Sequence, residues 1–198
     1  MNILQPLPLT EQAHGFVHNR SIVSNAKPHV GQAIVINLDL KDFFPTISYA
    51  RILGLFKQLG YNTEVASLLA LLCSESETQA VEMDGQRYFI QQGSRRLPQG
   101  APTSPLISNL LCRRLDKRLQ GLANKYGFVY TRYADDLTFS FAADNQNEAD
   151  ISRLLGTVKR ILGEEGFKVN VKKTHVIRQH QAQQVTGLIV NGTQAPRV

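Results

Sequence analysis

The chain has 198 residues, 42% of them hydrophobic, with 22 Lys and Arg against 16 Asp and Glu and a formal net charge of +6. That suffices for one domain, or a small bipartite fold, around a real core, and the basic excess favours a polyanionic partner. Cys73 and Cys112 stand outside any CxxC pair, the N-terminus lacks a basic leader before an apolar core, and the greasiest run, 65–73, is too short to span a membrane; two buried thiols in a soluble, cytoplasmic protein with no membrane partner are expected, rather than a disulfide or a zinc site.

Residues 32–40, QAIVINLDL, read as a strand with Ile34, Ile36 and Leu38 on one face and Val35, Asn37 and Asp39 on the other. Residues 48–60 read as a helix, with Ser48 as N-cap and Gly60 just past its end, and a second helix follows behind Asn62. The stretch 79–92 has the pattern of a hairpin turning at Asp84-Gly85. One long amphipathic helix is expected over 104–126, its stripe formed by Leu106, Leu110, Leu111, Leu115, Leu119 and Leu122. Residues 128–141 read as two strands joined at the Ala134-Asp135-Asp136 turn. A further helix is expected over 147–166, with Ile151, Leu154, Leu155, Val158, Ile161 and Leu162 at core spacing, and 167–178 and 184–192 finish as strands. The expected fold class is α+β, helices packed on a mostly antiparallel sheet.

The chemistry is concentrated in carboxylates. Asp39 ends the first strand on the face opposite its isoleucines, and Asp135 and Asp136 interrupt an aromatic, strand-like run, YADDLTFS. Strands disfavour Asp, and neighbouring like charges repel. On one reading the pair is ordinary turn chemistry. On the other, Asp39 lies beside the turn and three carboxylates converge at a sheet edge, where a divalent cation removes their repulsion. Magnesium suits such a site, because it is held by a few carboxylates together with substrate phosphates. Two such ions would activate an attacking hydroxyl and stabilise a leaving pyrophosphate.

YADD between two apolar strands resembles the catalytic hairpin of reverse transcriptases. NLDLKDFFPTI (37–47) resembles the first palm motif of that family, LPQGAPTSPLISNLL (97–111) the Gly-Pro loop that opens into a helix, GFKVNVKKT (166–174) the next motif and QVTGLIVN (184–191) the one after. They occur in the order the family has them. NAKPH (25–29), Val185-Thr186-Gly187 and AHGFVHNRSI (13–22) resemble elements of the retron type. The resemblance implies an RNA-directed DNA polymerase with a right-hand palm. By it, 1–36 would be partial fingers, 37–59 and 97–198 palm, and 60–96 a fingers-type insertion, with the thumb absent.

The same resemblance implies roles. Asp39, Asp135 and Asp136 would bind two magnesium ions, for which manganese substitutes, with Asp39 and Asp135 as principal ligands and the Leu40 carbonyl nearby. Phe44 would lie under the incoming sugar and exclude a ribose 2′-hydroxyl, Phe43 being the core ring. Gln99 would meet the incoming nucleotide from a loop fixed by Pro98 and Gly100, and Arg20 would hold its triphosphate. Lys173, with Lys172 alternating to the other face, would protonate or neutralise the departing pyrophosphate. Asn25, His29, Val185, Thr186 and Gly187 would hold template or structured RNA, although a lone histidine is as readily structural. Arg95, Arg96, Lys168, Lys172, Arg178 and His180 would line a nucleic-acid path.

The implied partners are a structured RNA that serves as template and primer, deoxynucleotides and an effector protein, in a setting of anti-phage defence. The alternative is a scaffold of the same fold that holds RNA or a partner without polymerising. An RNA-dependent RNA polymerase shares the palm logic but is disfavoured by Phe44 and by YADD in place of a Gly-Asp-Asp turn.

Overall fold

The computed structural model describes residues 4, 7–142 and 148–191. In chain order its elements are α1 (Ile22–Ala26), β1 (Ile34–Asp39), α2 (Phe43–Thr46), α3 (Tyr49–Gln58), α4 (Thr63–Leu72), β2 (Glu75–Met83), β3 (Gln86–Arg96), α5 (Ser104–Leu111), α6 (Arg113–Tyr126), β4 (Val129–Tyr133), β5 (Asp136–Phe141), α7 (Glu148–Glu164), β6 (His175–Arg178), β7 (Gln184–Val185) and β8 (Leu188–Ile189). The chain divides into two compact units, Met1–Lys41 with Cys112–Val198, and Asp42–Leu111.

The first unit is built on a four-stranded antiparallel sheet in the order β4-β5-β1-β6. Every residue of β1 except Asn37 is buried, so the alternation read from the sequence places side chains on two covered faces rather than one. Helix α6 packs on β4 and on α7. Its buried residues, Leu115, Asp116, Leu119, Leu122 and Ala123, recur at helical spacing, and Gly127 closes it in the left-handed conformation at φ 72°. In α7, Ile151, Leu154, Val158, Ile161 and Leu162 are buried as expected, while Leu155 is half-buried. Asn147 and Gly192, the expected limits of that helix and of the last strand, lie outside the described residues.

The second unit holds α2 to α5 and the β2-β3 ribbon, which turns at Asp84 (φ 53°) and Gly85 (φ 73°). Asn62 caps α4 by accepting from the Val65 amide at 2.9 Å, whereas Ser48 precedes α3 without a side-chain capping bond.

Three elements differ from the sequence reading. The helix expected over 104–126 breaks at Cys112, where ψ is −3°. The leucine stripe conceals the break, because helical spacing resumes at Leu115; four consecutive residues, Ile107 to Leu110, are buried in α5, so that helix is enclosed rather than striped. The strand expected over 167–178 is an isolated bridge from Leu40 to Val169, a 3₁₀ turn at Val171–Lys173, and only then β6. The strand expected over 184–192 folds back on itself as β7 and β8. Both turn residues of that hairpin, Thr186 (φ 45°) and Gly187 (φ 85°), are left-handed, as a two-residue hairpin of this twist requires.

Two buried polar groups hold the first unit. Arg132 on β4 is fully buried and donates through Nε and Nη2 to both carboxylate oxygens of Asp116 on α6, at 2.7 and 2.8 Å. Thr10 and Tyr130 also donate to Asp116, at 2.6 and 3.0 Å, so neither charge is left uncompensated. His29 is likewise fully buried, with Nδ1 2.6 Å from the Ser140 hydroxyl on β5 and Nε2 2.8 Å from that of Thr131 on β4. Burial first, and then the proximity of His14, pushes its pKa down from 6.5 to about 3.

Asp116→Ala, which strands the Arg132 guanidinium, should destabilise the chain by about 3–5 kcal/mol in denaturant titration. The His29 ring resists protonation when folded, so below pH 6.5 the unfolded chain binds the extra proton and stability falls with pH. Between about pH 6.5 and 4 this group should contribute a loss of at most about 1.4 kcal/mol per pH unit, and His29→Gln should flatten the profile by that amount. Equal slopes for the two proteins would show that His29 is not held neutral.

Candidate active site

The pairing of β1 with β5 runs from Ile34↔Phe141 to Asp39↔Asp136. The pairing of β4 with β5 ends at Tyr133↔Asp136. Ala134 and Asp135 therefore form a two-residue hairpin loop, and Asp136 opens β5 directly across from Asp39. The Leu40 amide donates to the Asp135 carbonyl at 3.0 Å and ties the loop to the end of β1. Three aspartates thus meet at one corner of the sheet through main-chain hydrogen bonding. The Asp39 side chain is 12% exposed.

Like charges opposite each other in a sheet destabilise it. The Asp135 carboxyl is raised above its usual range, chiefly by burial and further by the charge of Asp39. Asp136 is pushed up to about 6 by burial, then by Asp135 and Asp39. Two neighbours answer this charge. Lys173 Nζ donates to Asp39 Oδ2 at 3.1 Å, and Asn170 Nδ2 donates to Asp39 Oδ1 at 3.0 Å. The bond to Asp39 is the first cause that raises the Lys173 pKa.

The loop is held from behind. Arg132 Nη1 donates to the Ala134 carbonyl at 3.1 Å. Residues 12–14 run beside β4, with the Arg132 amide donating to the Gln12 carbonyl and the His14 amide to the Arg132 carbonyl, both at 2.7 Å. Gly15 then passes so close to the loop that a Cβ there would lie 2.5 Å from the Ala134 nitrogen. The same segment holds Arg20, whose Nη1 donates to the carbonyls of Thr10, Glu11 and Ala13 at 3.0, 2.6 and 2.6 Å. Arg20 is thereby occupied in folding its own segment.

A cleft of about 390 Å³ is lined by Asp39 and Asp136, but not by Asp135, and among others by Lys173, His175, Thr186 and Gly187. Thr186 and Gly187 thus share the cleft with the acidic corner. Asn25, His29 and Val185 do not reach it: each is fully buried, which corrects the expectation that they contact RNA directly. Asn25 Nδ2 donates to Thr186 Oγ1 at 3.4 Å, and Val185 packs with Ile22, Ala26, Val35, Leu188 and Val190. The NAKPH and Val-Thr-Gly elements therefore pack against one another beneath the cleft.

Leu40 is buried. In the second unit, Phe43 is buried and meets half-buried Phe44 edge-on at 5.2 Å between centroids. Gln99 is exposed on a loop whose Pro98 carbonyl accepts from Ser104 Oγ at 2.6 Å and whose Gly100 is left-handed. Arg95 is bound to Ser74 and to the Leu71 carbonyl, and Arg96 pairs with Glu77 at 2.8 Å.

The sequence reading misses Asn170 and Gly15. Both lie inside quoted motifs, where their spacing from Lys173 and from the palm acids gives no sign of contact.

Among the described residues no three His, Cys, Asp or Glu side chains are gathered closely enough to enclose a metal ion. The donor chemistry nonetheless fits a hard divalent cation: three carboxylates under mutual repulsion, with a lysine ammonium already balancing one of them.

Residues 2–190 match the family described as Reverse transcriptase (RNA-dependent DNA polymerase). Curated relatives include the Retron Mx65 reverse transcriptase of Myxococcus xanthus, 50% identical over 96% of this chain and 44% of the relative. Another is the Retron Ec86 reverse transcriptase of Escherichia coli, 36% identical over 96% of this chain and 52% of the relative. The chain thus spans about half the length of these relatives. Among solved structures, a Candida tropicalis telomerase with a TWJ fragment of telomeric RNA matches at TM-score 0.56 and 14% identity, covering 86% of this chain and 30% of that one. An apo Candida tropicalis telomerase truncated from its C-terminal domain matches at TM-score 0.53 and 15% identity, covering 86% of this chain and 36% of that one. At such identity the likeness is one of fold. The chain belongs to the reverse transcriptase, or RNA-dependent DNA polymerase, family and is of the retron type.

Proposed function

We propose that the chain carries the polymerising site of an RNA-directed DNA polymerase. The observation that carries this reading is the register Asp39↔Asp136, which sets two aspartates opposite each other next to the loop residue Asp135, with Lys173 bound to Asp39. In the reaction a primer hydroxyl attacks the α-phosphorus of a deoxynucleoside triphosphate. The bond to the β,γ-phosphates breaks, pyrophosphate leaves and the hydroxyl proton goes to solvent or a nearby base.

Asp39 and Asp135 are the residues that would hold divalent ions, magnesium with manganese as substitute, and Asp136 is more peripheral. Such ions, when bound, polarise the phosphate and lower the pKa of the attacking hydroxyl. Lys173, 65% exposed at its side chain, is free of packing that would prevent it from turning to a departing pyrophosphate and neutralising it. Phe44 discriminates against a ribose 2′-hydroxyl and Gln99 approaches the nucleotide from its glycine-bounded loop. Leu40 contributes backbone beside the nucleotide. Thr186 and Gly187 offer a hydroxyl and bare backbone to nucleic acid along the cleft. Arg20 serves the site by shaping the segment that carries Gly15.

On this reading 37–59 and 97–198 are palm and 1–36 and 60–96 fingers, and the template and primer are a structured RNA. A cytoplasmic setting, an effector protein partner and a place in anti-phage defence are the biological side of the same proposal. No described helix is long and apolar enough to cross a membrane.

With a poly(rA)/oligo(dT) substrate and magnesium, the chain should extend the primer with dTTP. Asp135→Asn should lower kcat/KM by a factor on the order of 10³, from loss of charge stabilisation in the transition state. Tight RNA binding with no incorporation in the unsubstituted chain would instead favour a non-polymerising RNA-binding module. Phe44→Val should raise the use of ribonucleotides relative to deoxynucleotides by about 10-fold or more, measured as the ratio of the two kcat/KM values.

A further inference from the structure

Asp39 has two carboxylate oxygens, and each has a different partner. Oδ2 meets the Lys173 ammonium, on a flexible and largely exposed side chain. Oδ1 meets the Asn170 side-chain amide, which is fixed at its base. The Asn170 backbone amide donates to the Asp39 carbonyl at 2.8 Å. Its own carbonyl accepts from the Lys173 amide at 3.0 Å and from Thr174 Oγ1 at 3.2 Å, closing the 3₁₀ turn that brings Lys173 round. One residue therefore grips Asp39 by main chain and side chain together and also anchors the turn that presents the lysine.

We infer that Asn170 is a positioning residue for Asp39: its amide locks Oδ1 and so leaves Oδ2 as the oxygen that exchanges the Lys173 ammonium for a divalent cation. The inference rests on the reading of Asp39 as a metal ligand. An amide is suited to this work. It donates to a carboxylate without adding charge, so it fixes the rotamer yet leaves the negative charge for the cation. Lysine cannot do the same, since its ammonium competes for the charge it would orient. A lone hydrogen bond to a ligand carboxylate is the kind of outer contact whose loss typically costs 10–100-fold in metal affinity.

The test is Mn²⁺ binding to the full chain, followed by electron paramagnetic resonance, alongside thermal melting without metal. Asn170→Ala keeps the three bonds made by its backbone atoms and removes only the side-chain donor. It should weaken Mn²⁺ binding by about 10–100-fold while the metal-free melting temperature changes little. Asn170→Ser, which restores a shorter donor, should recover some of the affinity. Lys173→Met, by removing the competing ammonium, should tighten Mn²⁺ binding at low ionic strength. Wild-type affinity in Asn170→Ala would overturn the inference and leave the metal reading intact. Absence of specific Mn²⁺ binding in the unsubstituted chain, equal to that of Asp39→Asn, would overturn both.

Discussion

Opposition of Asp39 and Asp136 across the β1-β5 pair is the constraint on which the rest of this site depends. Backbone hydrogen bonding sets the register, and a slip by one residue would send every side chain of β1 to the other face. The apolar residues of β1 and β5 make that slip costly, because Ile34, Ile36, Leu38, Leu137 and Phe139 are all buried in the present register. Core burial thus enforces a placement of like charges that local electrostatics opposes. Burial first, and then the neighbouring carboxylates, raises the carboxyls of Asp135 and Asp136, and Lys173 partly offsets the charge at Asp39.

A loop carrying such repulsion needs rigid support, and the fold provides it from buried groups that never meet the cleft. Arg132 joins the loop carbonyl of Ala134 to Asp116 on α6. Gly15 lets a neighbouring segment lie flat against the loop where any side chain would collide. His29 links the two strands that lead into and out of the hairpin, through hydroxyls on Thr131 and Ser140. Retron-type elements that suggest RNA contact in the sequence therefore act largely as the packing under the site, and only Thr186 and Gly187 come to its surface.

Much of this is legible in the sequence for simple reasons. β1, the acidic hairpin, α7 and the Asp84-Gly85 turn carry strong local signals, and local signals survive folding. What escapes the sequence depends on contacts far apart in the chain. A one-residue break at Cys112 leaves the leucine spacing undisturbed, so no periodicity reveals it. Asn170 and Asp39 are partners only because a 3₁₀ turn replaces the strand that alternation suggests. His29 reads as a candidate contact because burial, which makes it a neutral structural bridge, is invisible in the residue itself.

If the three aspartates form a divalent-cation site, anomalous diffraction from crystals of the chain soaked in Mn²⁺ will locate the ion there. The expected result is a peak at hydrogen-bond range or closer to Oδ2 of Asp39 and to Asp135, with the Lys173 ammonium displaced from Asp39. Manganese bound only elsewhere, with the lysine still seated on Asp39, would contradict it.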